Sequence, residues 1–425
     1  MQNIVSSPKK ISDKENRAQW YDYYAGYSHS FVRNLLANLG LSKQSVILDP
    51  WNGTGATTYS ALLEGYSSIG IDLNPVMKII SIAKLANLDQ LVLAKKRCLG
   101  LRIDITKRYI LSDDYLLLWF HEDTANYIRY IDQYLFAHKK ITYNEKIEKI
   151  NIIQCVIYLT LFNVVRNKLN KFIPSNPTWI KSKIAPHEKI YLSNREIKTL
   201  IIEYLNEKLL IAQERTYHID LDKAKIIHGT ASNLPLNNHS VDAIITSPPY
   251  CTRIDYGIAT LPELSVLVGD KPQQVDLIRR SLTGRTTIDK NLSLHPLNIG
   301  KTGNLFLKSV MNHHSRASAT YYYKNYYQYF SEITKTIEEI ARVLKVNGIF
   351  GCVVQDSFYK EIYCDLSTII KDIASMNDLC LVSRHDFTSR NNMANIHKHA
   401  KKYRKKTIAT ESVLVFQKGV NNVTN

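Results

Sequence analysis

The stretch Ser45-Val46-Ile47-Leu48-Asp49-Pro50-Trp51-Asn52-Gly53-Thr54-Gly55-Ala56-Thr57-Thr58 decides the fold. Its first half is a short apolar run, the length of a buried strand, stopped by an acid and a proline. Its second half sets Gly53 and Gly55 one residue apart, where a backbone can come close to a ligand. A helix follows through Leu62 and Leu63 to Gly65. The next strand, Ser68-Ile69-Gly70-Ile71-Asp72, ends in a second acid about 20 positions past the turn, where a carboxylate can accept both hydroxyls of a ribose. Strand, acid, Gly-x-Gly, helix, strand, acid is the ligand-binding corner of a doubly wound α/β sheet and points to an adenosine-containing ligand.

Upstream, residues 1–19 are polar and charged and are expected to form a loose arm. An aromatic run, Trp20 to Phe31, leads into a helix on Phe31, Leu35 and Leu36 that stops at Leu39-Gly40. Residues 20–75 thus make the cofactor half of the domain. Residues 76–223 are Lys-, Ile- and Leu-rich with helical periodicity over 144–165 and 195–213, broken by Pro174, Pro177 and Pro186. That is too long for a connection inside a sheet, so it is expected to be a mostly helical insertion. Its most apolar part, Ile150 to Val165, is too short to span a bilayer comfortably and is expected to be a buried helix, with no membrane partner.

The sheet resumes at Ala224–His228, and residues 224–420 form the second half. Val241-Asp242-Ala243-Ile244-Ile245 is a buried strand that runs into Thr246-Ser247-Pro248-Pro249-Tyr250. Two prolines fix φ and bias Ser247 away from the helical region. A rigid exit carrying a hydroxyl, carbonyls and an aromatic ring suits holding a flat polar ring. The segment 265–325 is basic and without strong periodicity, an expected phosphate-contacting surface. An amphipathic helix follows from Tyr326 to Leu344, expected to end at Asn347-Gly348, then a strand Ile349–Val354, a helix near 366–376 and strands 379–383 and 411–417. A basic run sits between the last two strands.

The 425 residues carry 55 Lys and Arg against 38 Asp and Glu, a formal charge of +17, which favours a polyanionic partner. Six scattered cysteines form no C-x-x-C pair and no zinc spacing, so no metal is expected and the thiols read as reduced, in a cytoplasmic protein. The first residues lack an apolar signal core.

Together these pieces resemble the amino-directed DNA methyltransferases of restriction–modification systems. Asp49-Pro50-Trp51-Asn52-Gly53-Thr54-Gly55-Ala56-Thr57 resembles their cofactor motif D-P-F-x-G-x-G-T-T. Ser247-Pro248-Pro249-Tyr250 resembles their catalytic motif in the S-P-P-Y form typical of N4-cytosine enzymes. Ser28–Phe31 resembles the segment touching the methionine end of the cofactor, and 340–348 resembles R-V-L-K-x-G-G. The resemblance covers roughly 20–90 and 224–418. It implies a seven-stranded, mostly parallel Rossmann-like methyltransferase sheet with a large helical insertion in which target recognition can reside.

The resemblance also implies S-adenosyl-L-methionine as cofactor. The turn agrees: it has neither the Gly-Lys-Ser/Thr of a phosphate loop nor the third glycine of a dinucleotide site. Ser30, Phe31, Asp49, Pro50, Gly53, Gly55, Thr57 and Asp72 are the implied cofactor residues. The family's acid after the third strand is absent, so that contact comes from Ser232, from a backbone group or from nowhere. Ser247, Pro248, Pro249 and Tyr250 are the implied catalytic set, acting on a base flipped out of double-stranded DNA. Arg253, Arg279, Arg280, Arg285, Lys401, Lys402 and Arg404 are the candidate DNA contacts, and a cognate restriction endonuclease is the implied partner. Cys251 reads as incidental. N6-adenine methylation, an RNA amino-group methyltransferase and a catalytically silent nucleic-acid-binding subunit are the rival readings.

Overall fold

The computed structural model describes residues 6–8, 17, 20, 21, 23, 26–139, 141–174, 179–214, 219–251, 254–289, 291–389 and 409–419. In chain order the cofactor half holds α1 (His29–Asn38), β1 (Val46–Asp49), α2 (Ala56–Leu63), β2 (Ser67–Asp72) and α3 (Pro75–Ala83). The helical region holds α4 (Leu88–Leu99), α5 (Glu122–Leu135), α6 (Tyr143–Lys149), α7 (Ile152–Leu169) and α8 (Asn194–Glu214). Then come β3 (Ala224–His228), β4 (Val241–Thr246), α9 (Tyr256–Ala259), α10 (Leu261–Val268), α11 (Pro272–Ser281), α12 (Gly300–Asn312) and α13 (Tyr323–Val343). The chain closes with β5 (Leu344–Gln355), the hairpin β6 (Ser357–Tyr359) and β7 (Ile362–Cys364), α14 (Leu366–Ser375), β8 (Leu379–Ser389) and β9 (Ala409–Lys418).

Seven strands form one sheet in the order β3-β2-β1-β4-β5-β9-β8. The five from β3 to β5 are parallel, and β9 is antiparallel to both β5 and β8. This is the doubly wound sheet expected from the sequence. The chain winds outward from β1 through β2 to β3, then returns to β4 on the other side of β1. The gap between β1 and β4 at their carboxyl ends is therefore the topological switch point, where such sheets bind ligands. Alternation along the strands divides the core. Ile47, Ala243, Ile245, Val413 and Val415 face α1, while Leu48, Ile244, Phe350, Leu414 and Phe416 face α12, α13 and α14.

Two expected segments take a more definite form. Helix α3 packs on β2 and β3 and also on α7, and its apolar residues join the core of the helical region, so it links the sheet to the insertion expected from 76. The segment 265–325 is not irregular: it carries α11, α12 and a π-type turn at Ser318–Tyr322, and α10 crosses its start. Every residue of α10 from Leu261 to Val268 is buried, and a helix buried all round shows no polar face for periodicity to reveal. It packs against α7, α5 and α3, so the insertion and the chain after the Ser-Pro-Pro-Tyr exit share one core.

Buried ion pairs lock that union. Arg166 of α7 grips Glu263 of α10 through two bonds of 2.5 and 2.6 Å and adds a third to the Ala259 carbonyl at 2.7 Å. Arg129 of α5 pairs with Asp114 and donates to the carbonyls of Ser265 and Val266. Lys146 bonds Asp132 and the Leu267 carbonyl. Helix α7 is the one stretch among the described residues long and apolar enough to cross a membrane, and it lies in the middle of this core, as expected for a buried helix.

Smaller expectations also shift. The helix from the Tyr326 region begins at Tyr323 and ends at Val343. Asn347, at φ +61°, is part of β5, close to where its register with β4 shifts. The described part of the amino-terminal arm is tied down: Arg17 is buried and donates to the Lys84 carbonyl, and the Pro8 carbonyl accepts from Ser28 N.

Candidate active site

A cleft of roughly 970 Å³, open mouth included, lies over the carboxyl ends of β1, β2 and β4. Its walls bring together Asp49, Asn52, Gly53, Asp72, Asn74 and the whole of Ser247–Tyr250. The two motifs, nearly two hundred residues apart in the chain, therefore share one cavity.

The cofactor side is built mainly from short-range bonds. Gly55 sits at φ +84° and begins α2. Asn52 holds the turn, accepting from the Thr58 hydroxyl at 3.0 Å and donating to Ser81 at 2.9 Å. A Cβ on Gly70 of β2 would lie 2.4 Å from this amide, so only glycine fits there. Asp72 accepts the Gly53 N–H on one oxygen and the Asn74 N–H on the other, each at 2.8 Å. Burial, aided by the neighbouring Asp49, pushes its carboxyl up to about 6 against those two N–H groups. Each oxygen keeps a lone pair for a hydroxyl donor, so the residue fits a ribose diol.

Asp49 plays a more internal part than its motif implies. One oxygen accepts Trp51 N at 3.1 Å and Thr246 Oγ1 at 2.5 Å; the other accepts the Tyr27 hydroxyl at 3.1 Å. It thereby ties the tip of β1 to the tip of β4 and to the segment before α1. Burial raises its carboxyl, and these donors oppose the shift. Tyr27 also meets Thr57 at 2.5 Å and the Ile245 carbonyl at 3.2 Å.

The other expected cofactor residues divide. Thr57 lies beneath the cleft in the Tyr27 cluster, and Gly55 shapes the turn. Neither they nor Pro50, Ser30, Phe31 or Ser232 reach the cleft wall. Phe31 is fully buried on the α1 side of the sheet, because the Ser28 cap starts the helix just before it. Ser30 is exposed and bonds Ser28. Tyr23, Gly26 and Tyr27 line the cleft in their place, while Thr230 and Ala231 line it where Ser232 was expected, its hydroxyl turned to Thr230 at 3.0 Å.

The Ser-Pro-Pro-Tyr side is built mainly from distant partners. The Pro249 carbonyl accepts the Tyr329 hydroxyl of α13 at 2.9 Å. Tyr250 N donates to the Tyr256 hydroxyl at 3.1 Å, and the Tyr256 ring lines the cleft. Gly284 abuts Pro249. Ser357 of β6 donates to the Cys251 carbonyl at 2.9 Å. Among the described residues the Ser247 hydroxyl and the Pro248 carbonyl have no protein partner, so the acceptors left over on this stiff exit point to a ligand. Cys251 is buried beside Cys364, and burial raises its thiol, which suits a structural residue. No cluster of three metal-ligating side chains occurs among the described residues.

Tyr256, Tyr329, Asn52 and Asn74 carry no motif signal. Only Asn74 had a local cue, standing just before Pro75 as the cap of α3; its amide also reaches Thr260 at 2.9 Å.

The family described as DNA methylase, of the N6/N4 type, matches residues 241–425. The match begins at the first residue of β4 and so includes the Ser-Pro-Pro-Tyr exit. The Type II methyltransferase M.BsoBI of Geobacillus stearothermophilus is 28% identical over 299 residues, covering 65% of this chain and 58% of that protein. The chain thus spans about three-fifths of the length of that curated relative. Solved structures similar to it include geranyl diphosphate C-methyltransferase from Streptomyces coelicolor, at 7% identity and TM-score 0.34 over 92% of this chain and 78% of that one. The YcgJ protein from Bacillus subtilis aligns at 10% identity and TM-score 0.34 over 92% and 100%.

The expected DNA-contacting residues fall into three groups. Arg253, Lys401, Lys402 and Arg404 lie outside the described residues. Arg280 is exposed on α11. Arg285 bonds Glu332 at 2.6 Å and the Leu282 carbonyl at 3.2 Å, and Arg279 is shared between Asp255 and Asp276. In this conformation the charges of Arg279 and Arg285 are already paired, serving the loop that roofs Pro249 and Tyr256.

Proposed function

We propose that the chain is a site-specific DNA methyltransferase that modifies the N4 amino group of cytosine, with S-adenosyl-L-methionine as methyl donor. The observation that carries this reading is the presence of the Ser247 hydroxyl and the Pro248 carbonyl, both without protein partners, in the same cleft as the Asp72 ribose site. When bound, the cofactor supplies an electrophilic methyl group. Asp72 and the Gly53 turn would hold its ribose, Thr230 and Ala231 would border its base, and Tyr23, Gly26 and Tyr27 would flank its other end.

The chain's own work is positioning. An exocyclic amino nitrogen is a weak nucleophile because its lone pair is delocalised into the ring. Ser247 Oγ and the Pro248 carbonyl accept its two hydrogens, which draws the nitrogen toward tetrahedral geometry and frees the lone pair. Tyr250 supplies an aromatic surface for a base extruded from the duplex. The two prolines, the Tyr329 bond and the Tyr256 bond hold the acceptors in place beforehand, so little reorganisation remains at the reaction. The exit resembles the Ser-Pro-Pro-Tyr form typical of N4-cytosine enzymes, and that resemblance supports N4 of cytosine over N6 of adenine. We place the enzyme in the cytoplasm with duplex DNA as substrate and a cognate restriction endonuclease as its companion.

The test is incubation of the purified chain with DNA and methyl-labelled cofactor, followed by nucleoside analysis. N4-methylcytosine is the expected product. N6-methyladenine would overturn the base assignment, label only in RNA would overturn the substrate, and no label in either would overturn the activity.

A further inference from the structure

The paired state of Arg279 and Arg285 leaves open which described surface meets the phosphate backbone. The arm between α7 and α8 has the required chemistry. Between residues 168 and 195 the sequence has six basic residues and one acidic residue, Glu188. Lys171, Lys181 and Lys183 are exposed. Two large aromatic rings are exposed among them, Trp179 at 56% and Tyr191 at 58%. Glu188 is engaged in the arm's own turn, accepting Ala185 N at 2.9 Å, and meets Lys181 only at 3.5 Å. Lys181 is thus paired with Glu188, while Lys171 and Lys183 have no ion pair among the described residues; exposed rings interleaved with such lysines combine stacking surfaces with a phosphate-seeking charge.

The arm is also firmly built and well placed. Its base is closed by Lys181 N on the Phe172 carbonyl at 2.9 Å and by Trp119 Nε1 on the Lys181 carbonyl at 2.8 Å. Ile190 exchanges backbone bonds with the Trp119–His121 segment. At its root stands Arg166, bonded to Ala259 of α9, the short helix whose Tyr256 holds Tyr250. The five residues from Arg166 to Lys171 span about 8 Å at helical rise, so the arm begins close to the base side of the cleft.

We infer that this arm, with Lys171, Lys181, Lys183, Trp179 and Tyr191, is a docking surface for the backbone of duplex DNA. The inference rests on the proposed DNA substrate and adds where the duplex is held. Its readout is binding rather than methyl transfer, so the two can fail separately.

The test uses the full chain and a fluorescent duplex of mixed sequence, with affinity measured across a salt series. In the variant K171Q/K181Q/K183Q the slope of log affinity against log salt should fall by about 2 to 3, since each lost phosphate contact removes about 0.9. Affinity near 0.1 M salt should drop about tenfold or more by the same loss. W179A should weaken binding by about five- to tenfold, as for a lost stacking contact, with the slope unchanged. Cofactor affinity, measured by calorimetry, should stay within about twofold in both and reports that the variants are folded. An unchanged slope and affinity in the triple variant would overturn the inference, as would a wild-type chain with no affinity for the duplex. A chain that binds DNA through the arm yet transfers no methyl group would leave the inference standing and overturn the proposed activity.

Discussion

The two walls of the cleft are made in opposite ways. On the cofactor wall the organising bonds are mostly local: Trp51 N to Asp49 and Asn74 N to Asp72 span two residues, Thr58 to Asn52 spans six, and Gly53 N to Asp72 spans nineteen. On the Ser-Pro-Pro-Tyr wall the stiff tetrapeptide is short; Tyr256 braces it from six residues away, but its other braces come from Tyr329 eighty residues on and Ser357 more than a hundred on from the residues they hold. The lesson is that one wall is a motif in the ordinary sense, carrying its own geometry. The other is a motif only in its chemistry; its placement belongs to the tertiary fold.

Four variants test that contrast. The largest effect is expected where a distant brace is cut. Arg166→Ala leaves Glu263 buried without its partner and should cost about 3–5 kcal/mol of stability, read by denaturant unfolding. A loss near that of an exposed pair would show that the helical insertion and α10 are not one unit. Next is Ser247→Ala, which removes the acceptor proposed for the reacting nitrogen. Methyl transfer should fall by about 10² to 10³, with cofactor affinity held within about twofold. Equal loss of both would mean the two walls are not separable.

The local wall is probed at Asp72. Asp72→Ala should weaken cofactor binding by about ten- to a hundredfold, the scale of lost bonds to a charged group, in calorimetry. The wild-type chain should show the same residue through pH. A diol is held by the ionised carboxylate, and burial sets the free site's carboxyl at about 6. Affinity should therefore be level above that pH and fall toward about tenfold per unit below it. For folding the sign is opposite. The folded carboxyl keeps its proton up to about 6 whereas an unfolded one releases it near about 4, so this group makes the apo chain less stable as pH rises through that window. The smallest effect belongs to Tyr329→Phe, which deletes a single bond to the Pro249 carbonyl. It should cost about 1 kcal/mol of stability and lower turnover by several-fold without changing cofactor affinity.

Much of this molecule was legible before its fold was known. The strand, turn, helix and strand from Val46 to Asp72 fall within a residue or two of where the apolar runs place them. The doubly wound, mostly parallel sheet was expected, and the DNA methylase match begins at the strand that leads into Ser247. What was not legible has specific causes. Helix α10 is buried on every side and so shows no periodicity. Arg279 and Arg285 look like free cations in a sequence, but Asp255 and Glu332 reach them only once the chain is folded. Ser30, Phe31 and Ser232 lie near the cleft in sequence yet are turned from it, because the Ser28 cap and the Thr230 hydroxyl set where those side chains go.

The sequence by itself determined the chemistry of the two walls: a carboxylate at a strand tip beyond a glycine turn, and acceptors stiffened by two prolines before a ring. Those features depend on covalent constraint and bonds of short span, which residue order already contains. Only the tertiary structure decided that the walls share one cleft, that Asp49 joins strands more than it faces a ligand, and that a helical body assembled from both inserts stands beside the clamp. Each depends on contacts between residues far apart in the chain, and their partners are selected by packing, which no local pattern records.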